Sequence, residues 1–182
     1  MDYKEQYITR MWETIKDVDI KGSFPSVIIA QGAVESDWGR SSLATRYNNY
    51  FGIKAGSNWT GKTVNMQTGE VFDGVNVSIS SNFRVYPSII ASLKDRIALL
   101  AKYYPAALAA TTPDEEVQAL KNGGYATALN YTTSIVNIIN TNDLTQFDNK
   151  IKYIMKASTT YSIFLALGII TAGLSLYKLI NN

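Results

Sequence analysis

Apolar positions recur at three- and four-residue intervals over most of the chain between residues 23 and 140, and change to strict alternation in one place. Ser23 followed by Phe24-Pro25 predicts a helix start, because proline in the first turn gives up an N–H that has no helical partner anyway. Val27 to Trp38 continues as that helix, and Gly39 stops it. A second helix is predicted from Ser88 to Tyr104, where Ile89, Leu93, Ile97, Leu100 and Tyr104 fall on one stripe. Thr112-Pro113-Asp114-Glu115 reads as a capping box opening a short helix that Asn122-Gly123-Gly124 closes. A further helix is expected over Tyr131 to Ile139. Between Asn58 and Val85 the period changes: Val75, Val77 and Ile79 alternate with Asn76, Ser78 and Ser80, and Thr68-Gly69 and Asp73-Gly74 read as turns. Helices with one small β-hairpin region define an α+β domain.

A different pattern closes the chain. Ala157 to Tyr177 carries no charge, and from Tyr161 the run is largely apolar through Leu176. About 20 helical residues, rising roughly 1.5 Å each, cross a hydrocarbon core of about 30 Å. Lys150, Lys152 and Lys156 precede the run, Lys178 closes it, and Tyr161 and Tyr177 occupy the places of interfacial aromatics. The run is either one C-terminal transmembrane helix or the buried last helix of a soluble domain, and its charge-free length favours the first. Met1 to Tyr7 shows no basic stretch leading into an apolar one, so no secretory signal is expected there. The expected organisation is a soluble domain over 1–149, then a basic juxtamembrane segment and membrane helix over 150–182. The expected location is accordingly a membrane, crossed once, with the lysine bias favouring a cytoplasmic face for the domain.

Composition narrows the chemistry. The chain is 46% hydrophobic and 18% charged, enough for a packed core. Its net charge of +2 does not suggest nucleic acid as a partner. It has no histidine and no cysteine. Imidazole bases, thiol nucleophiles, disulfides and the usual zinc ligands are therefore excluded, and no metal or cofactor is expected. Acid–base catalysis would fall to Asp, Glu, Tyr or Lys.

Glu35 is the leading candidate. On the first predicted helix Ile28, Gln31, Gly32, Glu35 and Trp38 share a face by spacing, and the helix is apolar nearly all round over its first two turns. A carboxyl group there, with an indole one turn away, would be desolvated and its pKa raised. A carboxylic acid protonated near neutrality is what general-acid cleavage of a glycosidic bond requires. The competing reading makes Glu35 a structural ion-pair partner of Arg40, Arg46 or Lys54.

The segment Gln31-Gly32-Ala33-Val34-Glu35-Ser36-Asp37-Trp38-Gly39-Arg40-Ser41 resembles the signature of the β-N-acetylglucosaminidases of glycoside hydrolase family 73, found in bacteria and phages. The resemblance continues in order: Asn48-Asn49-Tyr50-Phe51-Gly52-Ile53-Lys54, then Trp59-Thr60-Gly61, Phe83-Arg84-Val85-Tyr86-Pro87-Ser88, Gly123-Gly124-Tyr125-Ala126-Thr127 and Asn142-Asp143-Leu144 with Asp148 after it. It implies a lysozyme-like, mostly helical domain with a small β-lobe over a cleft, hydrolysing the β-1,4 bond after N-acetylglucosamine in peptidoglycan. Glu35 then carries over as the general acid. Glu70 corresponds to the family's second carboxylate, with Asp73 nearby, and Tyr125 to its cleft tyrosine. Asn49, Tyr50, Phe51 and Trp59 are expected at the substrate, as an N-acetyl donor and as sugar-stacking or cleft-wall aromatics, with plain core the competing reading for each aromatic, favoured for Phe51 and disfavoured for Trp59. Arg84 and Tyr86 are expected to anchor the lobe to the following helix. The family often continues Tyr-Ala-Thr with Asp-Pro, where this chain has Ala128-Leu129, and Ser134 stands where lysine is frequent. Those departures put contacts at the end of the cleft in doubt.

The expected function is that of a membrane-anchored peptidoglycan hydrolase, with a phage enzyme of entry or lysis, associated with virion or lysis proteins, as one setting for an unsignalled domain on a C-terminal anchor. Muramidase or lytic transglycosylase action in the same cleft, or a wall-docking module without turnover, are the alternatives. Inverting, retaining and substrate-assisted mechanisms all remain open, because the first two differ in a carboxylate separation that sequence does not supply.

Overall fold

The computed structural model describes residues 1–72, 75–126 and 128–166, with backbone alone at 68–72, 75–78, 156, 157 and 160–166. In chain order the elements are α1 (Tyr3–Ile15), α2 (Pro25–Ser36), α3 (Ser42–Tyr47), β1 (Thr63–Phe72), β2 (Val75–Arg84), α4 (Ile89–Tyr103), α5 (Pro105–Leu108), α6 (Pro113–Asn122), α7 (Tyr131–Thr141) and α8 (Thr145–Ala166). The helices surround α2, which packs against α1, α6, α7 and α8. Residues Val27 to Ala33 of α2 are buried without interruption. A fully buried Val, Leu or Ile contributes about 1.5–3 kcal/mol, so the apolar first turns of α2 make it the axis of the core. Gly32 belongs to that packing: a β-carbon there would collide with the Tyr7 hydroxyl, which donates to Ile29 O at 3.0 Å.

The α+β expectation holds, with local corrections. β1 and β2 form an antiparallel hairpin from Thr63 opposite Arg84 to Phe72 opposite Val75. Thr68-Gly69 is not a turn. It lies within β1, where Thr68 pairs with Ile79 and Gly69 with Ser78, because ladder hydrogen bonding outweighs the local turn preference. Asp73-Gly74 falls outside the described residues. The capping box at Thr112 and Glu115 is formed as expected. α1 was not foreseen, although its own signal is present: Asp2 and Glu5 make a reciprocal capping box, and Tyr7, Met11 and Ile15 recur every fourth residue into the core. α2 ends two residues before Trp38, since Asp37 (φ 51°) and Trp38 (φ 55°) both turn left-handed.

The entry to α2 is held by side chains from distant parts of the chain. Its N-cap residue, Phe24, has no capping side chain. Glu116 of α6 instead accepts from Phe24 N at 2.7 Å and Ser23 Oγ at 2.6 Å. Asp148 of α8 accepts from Ser26 N at 2.8 Å and Ser26 Oγ at 2.7 Å. Two carboxylates thus satisfy the first-turn donors and complement the positive end of the helix dipole. Asp148→Ala should leave both Ser26 donors unpaired and cost about 2–3 kcal/mol, read as a lower urea midpoint at unchanged m value.

α8 runs across residue 149, and Phe147 and Ile151 lie in the core. Among the described residues no helix is long and apolar enough to cross a membrane. The charge-free run expected to do so extends to Tyr177, and its part beyond Ala166 lies outside the described residues.

Candidate active site

Glu35 occupies the last turn of α2 and opens onto a cleft of about 660 Å³. The chain beyond it is sharply folded back. Ser36 Oγ donates to Gly32 O at 2.5 Å and accepts from Gly39 N at 2.8 Å, tying off the helix end. Ser41 then caps α3 through Ala44 N. The return stretch brings Phe51 and Gly52 against Glu35, while Met66 and Gln67 of β1 and Phe83 of β2 form the hairpin side of the cleft. Tyr125 and Ala126, after α6, close the opposite side.

Burial pushes the Glu35 carboxyl up to about 7. Among the described residues no ion pair joins it to Arg40, Arg46 or Lys54, and Arg40 is engaged with Asp37 at 2.8 Å. Trp38 is turned away, its ring edge-on to Tyr7 at 5.8 Å and covered by Lys4 at 5.0 Å. The left-handed residues that end α2 carry the indole off the helical face that regular spacing assigned to it.

Gly52 has φ 62°, and a β-carbon there would stand 2.9 Å from Glu35 Oε2. Gly52→Ala should therefore displace the carboxyl group as well as strain the backbone by about 1–2 kcal/mol. An angstrom of misplacement can lower turnover by about 10²-fold. The expected signature is a kcat loss far exceeding what the modest fall in thermal midpoint would explain.

The other expected site residues separate into groups. Tyr125 lines the cleft, its ring packed on Tyr104 at 5.3 Å and Tyr131 at 6.3 Å. Burial raises its hydroxyl well above the usual phenol range, with Arg96 drawing it partly back, so it stays a protonated donor. Phe51 forms cleft wall while being almost wholly buried. Asn49 is enclosed: Nδ2 donates to Ile53 O and Arg84 O, both at 2.9 Å, and Oδ1 accepts from Ile53 N at 3.0 Å. Its polar atoms are spent on joining the return stretch to the hairpin base, which assigns it to the scaffold. Tyr50 is buried beside α1, where its hydroxyl accepts from Arg10 at 3.4 Å. Trp59 lines a separate hollow of about 520 Å³ with Lys62, Tyr86 and Asp95. Arg84 lies over its ring at 4.6 Å, and Tyr86 meets it edge-on. Arg84 and Tyr86 both bond Asp95, at 2.7 and 2.5 Å, fastening the hairpin to α4. Glu70 lies on β1 opposite Val77, and its side chain is outside the described residues.

Sequence reasoning passed over Arg96, Glu116 and Tyr131, all buried. Arg96 donates to Gln31 Oε1 at 2.7 Å and Ser23 Oγ at 3.1 Å, and reaches Glu116 Oε1 at 3.3 Å. One signal was available: Arg96 falls three residues after Leu93 and four before Leu100, a charge on the apolar stripe of α4.

A half-buried carboxyl group at the end of a central helix, facing an open cleft bounded by a two-stranded lobe, defines a lysozyme-like α+β domain. The profile of the Glucosaminidase family, described as mannosyl-glycoprotein endo-beta-N-acetylglucosaminidase, matches residues 13–144, and the chain belongs to that family. It is 38% identical over 131 residues to the exo-glucosaminidase LytG of Bacillus subtilis, covering 68% of this chain and 46% of that protein. It is 34% identical over 119 residues to the peptidoglycan hydrolase FlgJ of Escherichia coli, covering 62% of this chain and 38% of that one. The chain thus spans less than half the length of either relative. Among solved structures, the catalytic domain of the autolysin Auto from Listeria monocytogenes superposes with a TM-score of 0.69 at 33% identity, over 81% of this chain and 89% of that one.

Proposed function

We propose that this chain hydrolyses peptidoglycan glycan strands at the β-1,4 bond after N-acetylglucosamine, with Glu35 as the general acid. The observation that carries the reading is a carboxyl group held near pKa 7 by burial alone, on the wall of an open cleft of about 660 Å³. At neutral pH about half of such groups hold a proton to give to the leaving oxygen. Tyr125 donates to the reacting sugar from the opposite wall. Glu70 is the proposed second carboxylate, on the hairpin whose Met66 and Gln67 face the cleft. The relatives support the two halves of the reading separately, LytG as an exo-glucosaminidase and FlgJ as a peptidoglycan hydrolase.

The test is release of reducing ends from purified peptidoglycan, followed by mass analysis of the fragments. Reducing N-acetylglucosamine ends support the reading. Reducing muramic ends or anhydro-muramyl ends transfer the cut to a muramidase or lytic transglycosylase, and binding without turnover leaves a wall-docking module. Glu70→Gln separates mechanisms: loss of turnover fits a second protein carboxylate, and near-normal turnover fits assistance by the substrate's own acetamido group.

The proposal extends to a membrane location, through the charge-free run Ala157–Tyr177 and its flanking lysines. Retention of the full chain in carbonate-washed membranes tests this, and protease protection of the domain in vesicles reads its side. Co-purification with virions would test the phage setting.

A further inference from the structure

The cleft beside Glu35 holds little fixed charge. Among its described lining residues the ionic side chains are Glu35 and Lys54, and the rest are apolar or uncharged. Lys54 follows Gly52 by two residues on the return stretch, and Gly52 is where a β-carbon would stand 2.9 Å from Glu35 Oε2. The main chain of Lys54 is fixed to the base of the hairpin. It bridges to Phe83, which also lines the cleft, and its carbonyl accepts from Arg84 Nε at 3.1 Å. On either side, Ile53 O accepts from Arg84 N at 3.0 Å and Ala55 N donates to Asn82 O at 2.8 Å. These are main-chain bonds of the return stretch, so replacing the exposed Lys54 side chain leaves them in place. Arg84, the other cation at this junction, is engaged outside the cleft with Asp95 at 2.7 Å and over the Trp59 ring. Lys54 also keeps a contact within the chain, and the three donors of an ammonium leave room for a ligand group beside it.

We propose that Lys54 is a specificity residue, its ammonium pairing with a carboxylate on the muramic sugar next to the scissile bond. Peptidoglycan alternates N-acetylglucosamine with N-acetylmuramic acid, so a cut after the first always has the second as its neighbour. That sugar brings a carboxylate in either of two ways: the free lactyl group of a peptide-stripped strand, or the acidic groups of a stem peptide joined through it. A strand of N-acetylglucosamine alone has the same backbone and no carboxylate. Lys54 therefore favours the acidic strand over the neutral one, in a cleft whose other described walls carry no cation. The inference rests on the hydrolase reading above.

Lys54→Gln is the test, with Lys54→Arg as the variant that keeps the charge. Turnover is measured on peptide-stripped strands and on strands with their stem peptides. Neutral β-1,4-linked N-acetylglucosamine oligomers are added as competitors, which reads their binding whether or not they are cleaved. Lys54→Gln should lower kcat/KM on acidic strands about 3- to 10-fold, between the worth of an exposed ion pair and that of a charge-assisted hydrogen bond. The loss should fall on KM with kcat nearly unchanged, as for binding shared by ground and transition states. The inhibition constant of the neutral oligomers should stay in place, and Lys54→Arg should recover most of the loss. Salt near about 1 M, which screens charges beyond about 3 Å, should bring wild type toward Lys54→Gln. A loss on stripped strands assigns the pairing to the lactyl group, and a loss on peptide-bearing strands to the stem. Equal weakening of the neutral oligomers, or undiminished kcat/KM on both acidic strands, would overturn the inference. Sedimentation of the full chain with insoluble peptidoglycan or with chitin needs no turnover. A wild type that cleaves neither, yet loses affinity for peptidoglycan alone in Lys54→Gln, would refute the hydrolase reading and leave the carboxylate pairing standing.

Discussion

Glu35→Gln should lower turnover by about 10²–10⁴-fold, the usual worth of a general acid in the role proposed for it, and at the same time make the fold more stable above pH 7. The two effects share one cause. Burial holds the carboxyl proton to about pH 7 in the folded chain, against 4.5 as the ordinary value. Below about pH 4.5 the group is protonated whether folded or not and costs nothing. As pH rises from there through 7 the unfolded chain ionises first, so the folded state loses stability across that window; above it the loss is constant. A shift of this size corresponds to roughly 3 kcal/mol, less what partial solvent access to the cleft returns. Glutamine keeps the shape of the protonated acid and never ionises. Its variant should unfold at the wild-type denaturant concentration at pH 4 and at a higher one at pH 8. The wild-type kcat/KM should fall about tenfold per pH unit well above 7 as the acid loses its proton. An active Glu35→Gln, or equal midpoints at pH 8, would contradict this account.

Arg96→Met is expected to produce the largest loss of stability of any single change considered, about 3–5 kcal/mol at neutral pH, as for other buried ion pairs broken from one side. Both Arg96 and Glu116 are fully enclosed. Burial already raises the Glu116 carboxyl, and Arg96 is the largest influence holding it down. Without the guanidinium, Glu116 retains its bonds from Ser23 and Phe24 but becomes an unpaired charge at the entry of α2. The destabilisation should therefore shrink as pH falls and Glu116 takes up a proton, and grow as pH rises. Removing the charge as well, in Arg96→Met/Glu116→Met, should recover much of the loss despite deleting more hydrogen bonds. Chemical denaturation at two pH values checks both points, and a double variant weaker than the single one would refute them.

Much of the fold was legible from spacing. The stripes of α4 and α7, the capping box of α6, the proline entry of α2 and the alternation of β2 all announced their elements. α1 was equally legible in Asp2, Glu5 and its four-residue repeat. Thr68-Gly69 misled because a dipeptide's turn preference is weaker than a complete ladder. Glu35 lies at the cleft and is desolvated as its spacing suggested, whereas the indole one turn on packs against Tyr7 instead. Of the residues expected at the substrate, Phe51 and Tyr125 meet Glu35 at the cleft, whereas Asn49, Tyr50 and Trp59 serve the scaffold around it or a second hollow.

The sequence by itself determined the kinds of element, the exclusion of histidine and cysteine chemistry, and the carboxylic acid on the central helix, because periodicity, capping and residue inventory are local properties. Only the tertiary structure decided how strongly that acid is desolvated. It also decided that Glu116 and Asp148, 92 and 122 residues away from the backbone groups they cap, would hold the entry to its helix. Desolvation and hydrogen bonding depend on which distant segments are brought into contact, and no local pattern encodes that sum.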